Sequence, residues 1–142
     1  MDGRSWPLSM RVERGKIREL GRALRATDER YLGPRGVDGP GLLAPPTFPS
    51  AVMNHWGRPV ADILLELGCD LHRVLHGSEE YEYPSGPLRE GQVLRGQIKL
   101  VGEEDKTGRG GAAMRFLHLE MLLDDEFGGP GVRVRRTIIE KR

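Results

Sequence analysis

The chain has 142 residues, of which 37% are hydrophobic and 30% are charged. This composition is typical of one globular domain and argues against a disordered chain. The 22 basic and 21 acidic residues nearly cancel, so no strong overall charge attracts the protein to other molecules. We therefore expect neither nucleic acid nor a membrane as a partner.

Cys69 is the only cysteine in the sequence. An intrachain disulfide is therefore impossible, and a cysteine-based metal site is not expected. The first residues, MDGRSWPLSMRVERGK, contain no apolar stretch of signal-peptide length, and no later segment approaches the length of a membrane span. We expect a cytoplasmic protein without metal or other cofactor. Residues 1–142 should form a single domain, with residues 1–10 as a loose N-terminal segment.

The segment VERGKIRELGRALRATD predicts an amphipathic helix. Ile17, Leu20 and Leu24 recur at helical spacing, and charged residues occupy the opposite face. This helix should end near Ala26. Residues 28–49 are rich in proline and glycine and show neither a helical nor a strand period, which predicts a loop.

A second helix is predicted to begin after Thr47 and to be broken. The Thr47 hydroxyl is a suitable N-cap, whereas Gly57 and Pro59 interrupt the helical pattern. Pro59 can open a second part, VADILLELG, which should end at Gly68. The apolar side chains that should enter the core are Phe48, Val52, Ile63, Leu64 and Leu67.

The remainder of the chain predicts β-structure. Apolar and polar residues alternate near residues 78–83, 92–103, 113–123 and 131–140, and the connecting turns contain glycine and aspartate. A shorter β candidate, LHRVLHG, precedes them. An antiparallel sheet with one apolar face must cover that face, and the broken helix is the only candidate cover. The fold class is therefore α+β, with Leu117, Leu119 and Met121 facing the helix.

Four segments occur in an order that resembles the MaoC-like dehydratase N-terminal domain, also known as the FAS1-like dehydratase. They are VERGKIRELGRAL, GLLAPPTFP, LHGSEEYEYPSGPLREGQVL and VRVRRTIIEKR. Together they extend the resemblance from about Val12 to Arg142. Such domains belong with the (3R)-hydroxyacyl-thioester dehydratases and hydratases. The resemblance implies a hot-dog fold, an antiparallel β-sheet wrapped around a central helix, which is broken here.

The resemblance also implies where an acyl thioester of CoA or of acyl carrier protein (ACP) would bind. In such proteins the segment like Ala44-Pro45-Pro46-Thr47 leads into the central helix near the acyl-thioester tunnel, and His76-Gly77 matches the family pattern. Consecutive prolines favour an extended approach, and free N–H groups at a helix start can bind a thioester carbonyl oxygen. The same geometry also serves as a tight turn into a core helix, so both interpretations remain open.

Active members of this superfamily use an Asp and a His in the motif Gly-Asp-x-Asn-Pro-x-His, just after the first helix. Here Ala26 stands in the Asp position, Asp28 in the Asn position and Tyr31 in the His position. Alanine cannot transfer a proton, and tyrosine, with a reference pKa of about 10, is a poor base at neutral pH. We therefore expect no catalytic residue of the usual dyad in this chain. His76 with Glu79 or Glu80 is the best local substitute.

Relatives that lack the dyad form a double hot dog with a partner domain that has it. The resemblance therefore implies a substrate-shaping, non-catalytic subunit of a (3R)-hydroxyacyl-CoA or -ACP dehydratase or enoyl-thioester hydratase, in fatty-acid or polyketide-type acyl metabolism. Its partner would be a second hot-dog subunit with an intact Asp/His motif. One alternative is a self-sufficient homodimeric dehydratase or thioesterase that uses an unorthodox residue. Another is a non-enzymatic protein that binds an acyl thioester or other apolar ligand.

Overall fold

The computed structural model describes residues 3–33 and 41–142. Within them the chain forms five strands, four α-helices and one 3-10 turn. In chain order these are β1 (Ser5–Arg11), α1 (Arg14–Ala23), α2 (Glu29–Leu32), α3 (Phe48–Trp56), α4 (Val60–Glu66), the 3-10 turn (Leu71–Arg73), β2 (Val74–Glu82), β3 (Val93–Thr107), β4 (Ala113–Asp125) and β5 (Pro130–Lys141).

The strands form one antiparallel sheet in the order β1-β3-β4-β5-β2, so that β1 and β2 are its edges. The four predicted strands are confirmed, and each is longer than expected. The predicted β segment before them divides in two. Leu71–Arg73 is a 3-10 turn capped by the Asp70 side chain, and β2 begins at Val74.

The N-terminal segment is more ordered than the sequence analysis expected, because residues 5–10 belong to edge strand β1. Trp6, Leu8 and Met10 alternate with exposed residues, point into the core and pair with β3. Pro7 obscures the strand pattern in the sequence. An edge strand tolerates proline because it has one side without ladder hydrogen bonds.

Helix α1 ends at Ala23, three residues before the expected end near Ala26, and Arg25 then adopts a positive φ of 56°. The short helix α2 lies in the region predicted to be a loop. Asp28 caps it, because its carboxylate accepts a hydrogen bond from the backbone N–H of Arg30 at 2.9 Å. A helix of four residues is too short to show a period. Residues 34–40 of that predicted loop lie outside the described residues.

The broken helix is confirmed as α3 and α4, with Gly57 and Pro59 between them. Gly57 bridges Leu8 of β1, and a Cβ atom at position 57 would lie 2.4 Å from the Leu8 Cδ1 atom. Any larger residue at position 57 would therefore require the Leu8 side chain to move.

One face of the sheet and the helices enclose a hydrophobic core. Leu117, Leu119 and Met121 of β4 are at most 4% exposed and contribute to it, as predicted. Phe48, Val52, Ile63, Leu64 and Leu67 join them from the helical side. The fold is α+β, and its arrangement is the hot-dog arrangement that the resemblance implied. Within residues 3–33 and 41–142, no helix has the length and apolar character needed to cross a membrane.

Candidate functional site

The segment that leads into α3 divides into a buried and an exposed half. Ala44 and Pro45 are buried, and the Ala44 N–H donates to the carbonyl oxygen of Leu88 at 2.8 Å. Pro46 and Thr47 are exposed. The Thr47 side chain makes no capping hydrogen bond, contrary to expectation. Instead, the Phe48 N–H donates to the Pro45 carbonyl at 2.9 Å, and Pro49 needs no acceptor because it has no N–H.

Two tyrosines connect this segment to edge strand β2. The Tyr83 hydroxyl donates a hydrogen bond to the carbonyl oxygen of Pro46. Burial raises the pKa of Tyr83 above its ordinary value. The Tyr81 ring lies parallel to the Tyr83 ring, with 6.4 Å between the centroids. The residues from Pro46 into α3 therefore lie beside β2.

A polar group joins α3, β2 and β5 at this place. We refer to Ser50, Glu79, Tyr81 and Arg136 as the Ser50 cluster. Arg136 donates from Nε to the Glu79 Oε1 atom at 2.9 Å and from Nη2 to the Ser50 Oγ atom at 2.8 Å. Arg136 Nη2 and the Ser50 hydroxyl also donate to the Glu79 carboxylate. The side chains of Arg136 and Glu79 are only 13% and 14% exposed, so this ion pair is mostly withdrawn from water.

The cluster reinforces the protonation states that Glu79 and Tyr81 have at neutral pH. Burial opposes ionisation of Glu79, but hydrogen bonds from Ser50 and Arg136 outweigh it and hold the pKa of Glu79 below its ordinary value. Burial raises the pKa of Tyr81. Glu79 is therefore a carboxylate and Tyr81 a neutral phenol. A carboxylate with a lowered pKa is a weak base, which makes Glu79 a poor candidate for general-base catalysis.

The predicted residues His76 and Gly77 lie at the start of the same strand. His76 Nε2 is 3.7 Å from Glu79 Oε2, and the His76 side chain is about half exposed. The register of β2 against β5 shifts between His76 and Ser78, which places Gly77 at an irregularity. A Cβ atom at Gly77 would lie 2.9 Å from the Ile139 Cδ1 atom, so the strand approaches its neighbour closely there.

The residues that the sequence analysis assigned to the positions of the Asp/His motif lie around α2. Asp28 forms a bidentate contact with Arg30, whose Nη2 is 2.6 Å from Asp28 Oδ2. Hydrogen bonds from Arg30 hold the pKa of Asp28 below its ordinary value. Ala26 and Tyr31 are half-buried, and the Leu43 N–H donates to the carbonyl of Arg30 at 2.8 Å. The Asp28 carboxylate is therefore paired with the Arg30 side chain. The absence of a catalytic role for Ala26, Asp28 and Tyr31 stays a prediction.

An apolar cleft lies between the helices and the sheet, and Arg136 is the member of the Ser50 cluster that lines it. Its lining residues are Met53, Val60, Ile98, Leu119, Met121, Val134 and Arg136. Its free volume of about 10 Å³ corresponds to about one water molecule. Arg136 belongs both to this lining and to the cluster. Among the described residues, no three His, Cys, Asp or Glu side chains gather closely enough to hold a metal ion.

The sequence analysis named His76 and Glu79 but did not identify Ser50, Tyr81 or Arg136. A signal was present for Arg136, because strand alternation places it on the same face as Val134 and Ile138. A charged residue at an inward strand position is unusual in a core. No such signal exists for Ser50, which lies near the start of a helix.

Comparisons with known proteins agree with this architecture. The family model described as FAS1-like, dehydratase domain region, matches residues 3–132. A "UPF0336 protein" of Thermobifida fusca (strain YX) is 37% identical over 106 residues, which cover 72% of this chain and 68% of that protein.

Two solved structures share the fold at low sequence identity. One is the C-terminally truncated HadBC (3R-hydroxyacyl-ACP dehydratase) complex of Mycobacterium tuberculosis, with a TM-score of 0.69, 18% identity and coverage of 96% of this chain and 95% of that chain. The other is a MaoC-like dehydratase of Rhodospirillum rubrum, with a TM-score of 0.60, 15% identity and coverage of 99% and 92%. The chain thus has the fold of the MaoC-like hot-dog dehydratases, and it belongs to the family of the FAS1-like dehydratase domain region.

Proposed function

We propose that this chain is a substrate-shaping, non-catalytic subunit of a (3R)-hydroxyacyl-thioester dehydratase or enoyl-thioester hydratase. One observation carries the proposal. A chain of a dehydratase family has Ala26 in the Asp position and Tyr31 in the His position of the Asp/His motif, and Asp28, in the Asn position, is paired with Arg30. The acyl group would be carried by CoA or by ACP.

The reaction explains why a second subunit is needed. Dehydration of a 3-hydroxyacyl thioester removes a proton from C2 and the hydroxyl group from C3, which requires a base and an acid within hydrogen-bond reach. Glu79 is held as a weak base by Arg136, and His76 lies 3.7 Å from it without a direct hydrogen bond. A partner with an intact motif would supply both groups. The HadBC structure, described as a complex, supports such an assembly.

The experiment compares the chain alone with the chain co-purified with a hot-dog protein that carries the intact motif and is encoded nearby. The substrates are a short 2-enoyl-CoA thioester and the corresponding pantetheine thioester. Their hydration is measured as the loss of enoyl absorbance. We expect turnover only in the mixture. Changing the motif His of the partner to Ala is the control and should abolish it. Turnover by this chain alone at the rate of the mixture would refute the proposal.

A second candidate function is favoured by the contacts among Ser50, Glu79 and His76. A hydroxyl bonded to a carboxylate with an imidazole nearby is an arrangement that can transfer protons. It would suit a homodimer that dehydrates or hydrolyses an acyl thioester without the usual dyad. Activity of the purified chain, lost in Ser50→Ala and His76→Ala, would establish this function in place of the first. Binding of a thioester without turnover, alone or in the mixture, would instead indicate a binding protein.

A further inference from the structure

A carboxylate, an imidazole and a hydroxyl form a row on the outer face of the sheet. The His118 Nε2 atom is 3.0 Å from Glu104 Oε1, and the His118 Nδ1 atom is 3.1 Å from Thr137 Oγ1. We refer to these three residues as the His118 row. Leu117 and Leu119, on either side of His118 in β4, are buried, so His118 points away from the core. The His118 and Glu104 side chains are 36% and 44% exposed, so solutes can reach the row.

An irregularity in β3 brings these groups together. The register of β3 against β4 shifts between Leu100 and Gly102, and one extra residue in β3 reverses the alternation of the residues that follow. Glu103 consequently belongs to the inner face, and Glu104 reaches His118 on the outer face. Gly102 lies directly opposite His118 and has no side chain that could cover the imidazole ring.

The protonation of Glu104 determines the direction of both hydrogen bonds. Hydrogen bonds from His118 and Lys106 hold the pKa of Glu104 below its ordinary value, so Glu104 is a carboxylate at neutral pH. A carboxylate can only accept, so the Nε2 atom of His118 carries the hydrogen that it donates to Glu104. In the neutral imidazole the Nδ1 atom is then an acceptor, and the Thr137 hydroxyl donates to it. The hydroxyl proton of Thr137 is therefore directed at a base.

This arrangement is that of an activated nucleophile. A hydroxyl becomes reactive when an adjacent base, within about 2.6–3.2 Å, takes its proton and a third group orients that base. Thr137 has the hydroxyl, His118 the base and Glu104 the orienting carboxylate, and both distances fall within this range. Ser78 lies directly opposite Thr137 on β2, but its hydroxyl forms no hydrogen bond to an imidazole in the part of the chain that the structure describes. The geometry thus distinguishes Thr137 from its nearest hydroxyl neighbour.

An adjacent apolar row indicates which kind of group can be transferred. Phe116, Ile139 and Leu75 lie side by side on β4, β5 and β2, on the same outer face. Phe116 and Ile139 are half-buried, and Leu75 is 47% exposed. They offer apolar surface to a short hydrocarbon chain two positions along the strand from Thr137. A phosphoryl group would instead be repelled by the Glu104 carboxylate, so an acyl group fits this surface better.

We propose that Thr137 is a nucleophile that accepts a short acyl group from an activated ester or thioester, with His118 as its general base and Glu104 as a positioning residue. Thr137 Oγ1 attacks the carbonyl carbon of the donor. A C–O bond forms, and the bond from that carbon to the leaving oxygen or sulfur breaks. The Thr137 proton passes to His118 Nδ1 and from there to the leaving group, which leaves an acyl ester on Thr137. This site is independent of the proposed function, because it lies on the other face of the sheet.

The test treats the purified chain with 4-nitrophenyl acetate at neutral pH and locates the acetyl group by peptide mass spectrometry after an acid quench. We expect Thr137 to be acetylated roughly 100-fold faster than Ser78, because a positioned general base contributes at least about this factor. Thr137→Ser should retain the reaction, and the isosteric Thr137→Val should lose it. His118→Ala should reduce acetylation of Thr137 to the rate at Ser78. Ser78→Ala is the matched control and should leave acetylation of Thr137 unchanged.

The positioning role of Glu104 is tested with Glu104→Gln. The amide has the same size and can still form a hydrogen bond, so stability in urea should stay that of the wild type. Acetylation of Thr137 should nevertheless fall by about tenfold or more, because an amide does not fix the imidazole tautomer. A variant that acetylates Thr137 at the wild-type rate would overturn this role.

Equal acetylation of Thr137 and Ser78 in the wild type would overturn the proposal as a whole, and this comparison needs no variant to fold. Acetylation confined to lysines would overturn it as well. Acetylation of Thr137 that is unchanged in His118→Ala would show that the imidazole is not its base and would have the same consequence.

Discussion

Arg115 and Glu140 lie directly opposite each other on β4 and β5, and both side chains are buried in the protein. Their closest atoms, Arg115 Nη1 and Glu140 Oε2, are 3.5 Å apart. Arg115 Nη2 also donates to the Leu67 carbonyl at 3.0 Å, and Glu140 Oε1 accepts from the Asp70 N–H at 2.7 Å. This pair therefore fastens the end of α4 and the following turn to the sheet.

Breaking this pair should destabilise the fold strongly. Arg115→Met leaves the Glu140 charge buried without its partner, and we expect a loss of about 3–5 kcal/mol in the free energy of unfolding. Arg115→Met combined with Glu140→Leu should recover only part of that loss, since no charge remains buried but the Leu67 carbonyl and the Asp70 N–H lose their partners. Urea denaturation of both variants measures the difference. A single variant that loses less than about 1 kcal/mol would show that the pair behaves like an exposed salt bridge.

Stability should also depend on pH through Glu79. Its folded pKa is lowered, so its contribution is complete above the ordinary pKa of 4.5 and is lost as the pH falls through the lower folded pKa. Glu79→Gln removes this contribution, so its unfolding free energy should fall less between pH 5 and acid than that of the wild type. Thermal unfolding of both proteins between pH 5 and acid measures this difference in stability. Glu80→Gln, an exposed neighbour paired with Arg135, is the control and should follow the wild type.

Bulky substitutions at Ala44 and Thr47 should have different consequences. Ala44 is 4% exposed, so Ala44→Trp overpacks the core and should lower stability by about 1–3 kcal/mol or more. Thr47 is exposed at the start of α3, so Thr47→Trp should fold normally. In the reconstituted pair, Thr47→Trp should reduce turnover of long acyl chains more than of short ones. An equal effect on long and short acyl chains would show that Thr47 does not lie at the substrate site.

Restoring the missing dyad should not by itself create an enzyme. Ala26→Asp with Tyr31→His supplies two proton-transfer groups, but Asp28 and Glu29 still replace the Asn-Pro pair of the motif and would repel the new Asp. Acid–base groups contribute roughly 100- to 10,000-fold only when they are positioned within reach of the proton. We expect the double variant alone to hydrate an enoyl thioester at background rate. Turnover clearly above background would mean that the surrounding loop already has the active geometry.

The exposed edge of the sheet should mediate association. Strand β2 is an edge of the sheet, so the backbone N–H and C=O groups on its outer side have no partner strand within this sheet. Leu75 on this strand is 47% exposed. We expect a homodimer in isolation at micromolar concentration and a heterodimer with a catalytic partner. Leu75→Lys should shift the mass measured by light scattering toward that of the monomer, whereas Val101→Lys, at a β3 residue that is 55% exposed, should not. A wild-type chain that stays monomeric would contradict this prediction.

The elements of the fold were predictable where the signal is local. Strand alternation in β3, β4 and β5 and the interruption at Gly57 and Pro59 are properties of neighbouring residues, and the structure confirms them. Strand β1 was missed because Pro7 argues against a strand in the sequence, and only the edge position of β1 in the sheet makes this proline acceptable. Helix α2 was missed because a single turn capped by Asp28 has no period.

The sequence by itself determined that Ala26, Asp28 and Tyr31 follow the first helix, because this depends only on which residues are present, and their match to the positions of the Asp/His motif stays a prediction. The Ser50 cluster was decided by the tertiary structure alone. Ser50 and Arg136 are 86 positions apart, and Glu79 lies 57 positions from Arg136. They meet because β5 lies between β4 and β2 in the sheet and because α3 packs across its inner face. Hydrophobic periodicity predicts which face of a strand is buried, but it carries no information on which distant side chain will lie against that face.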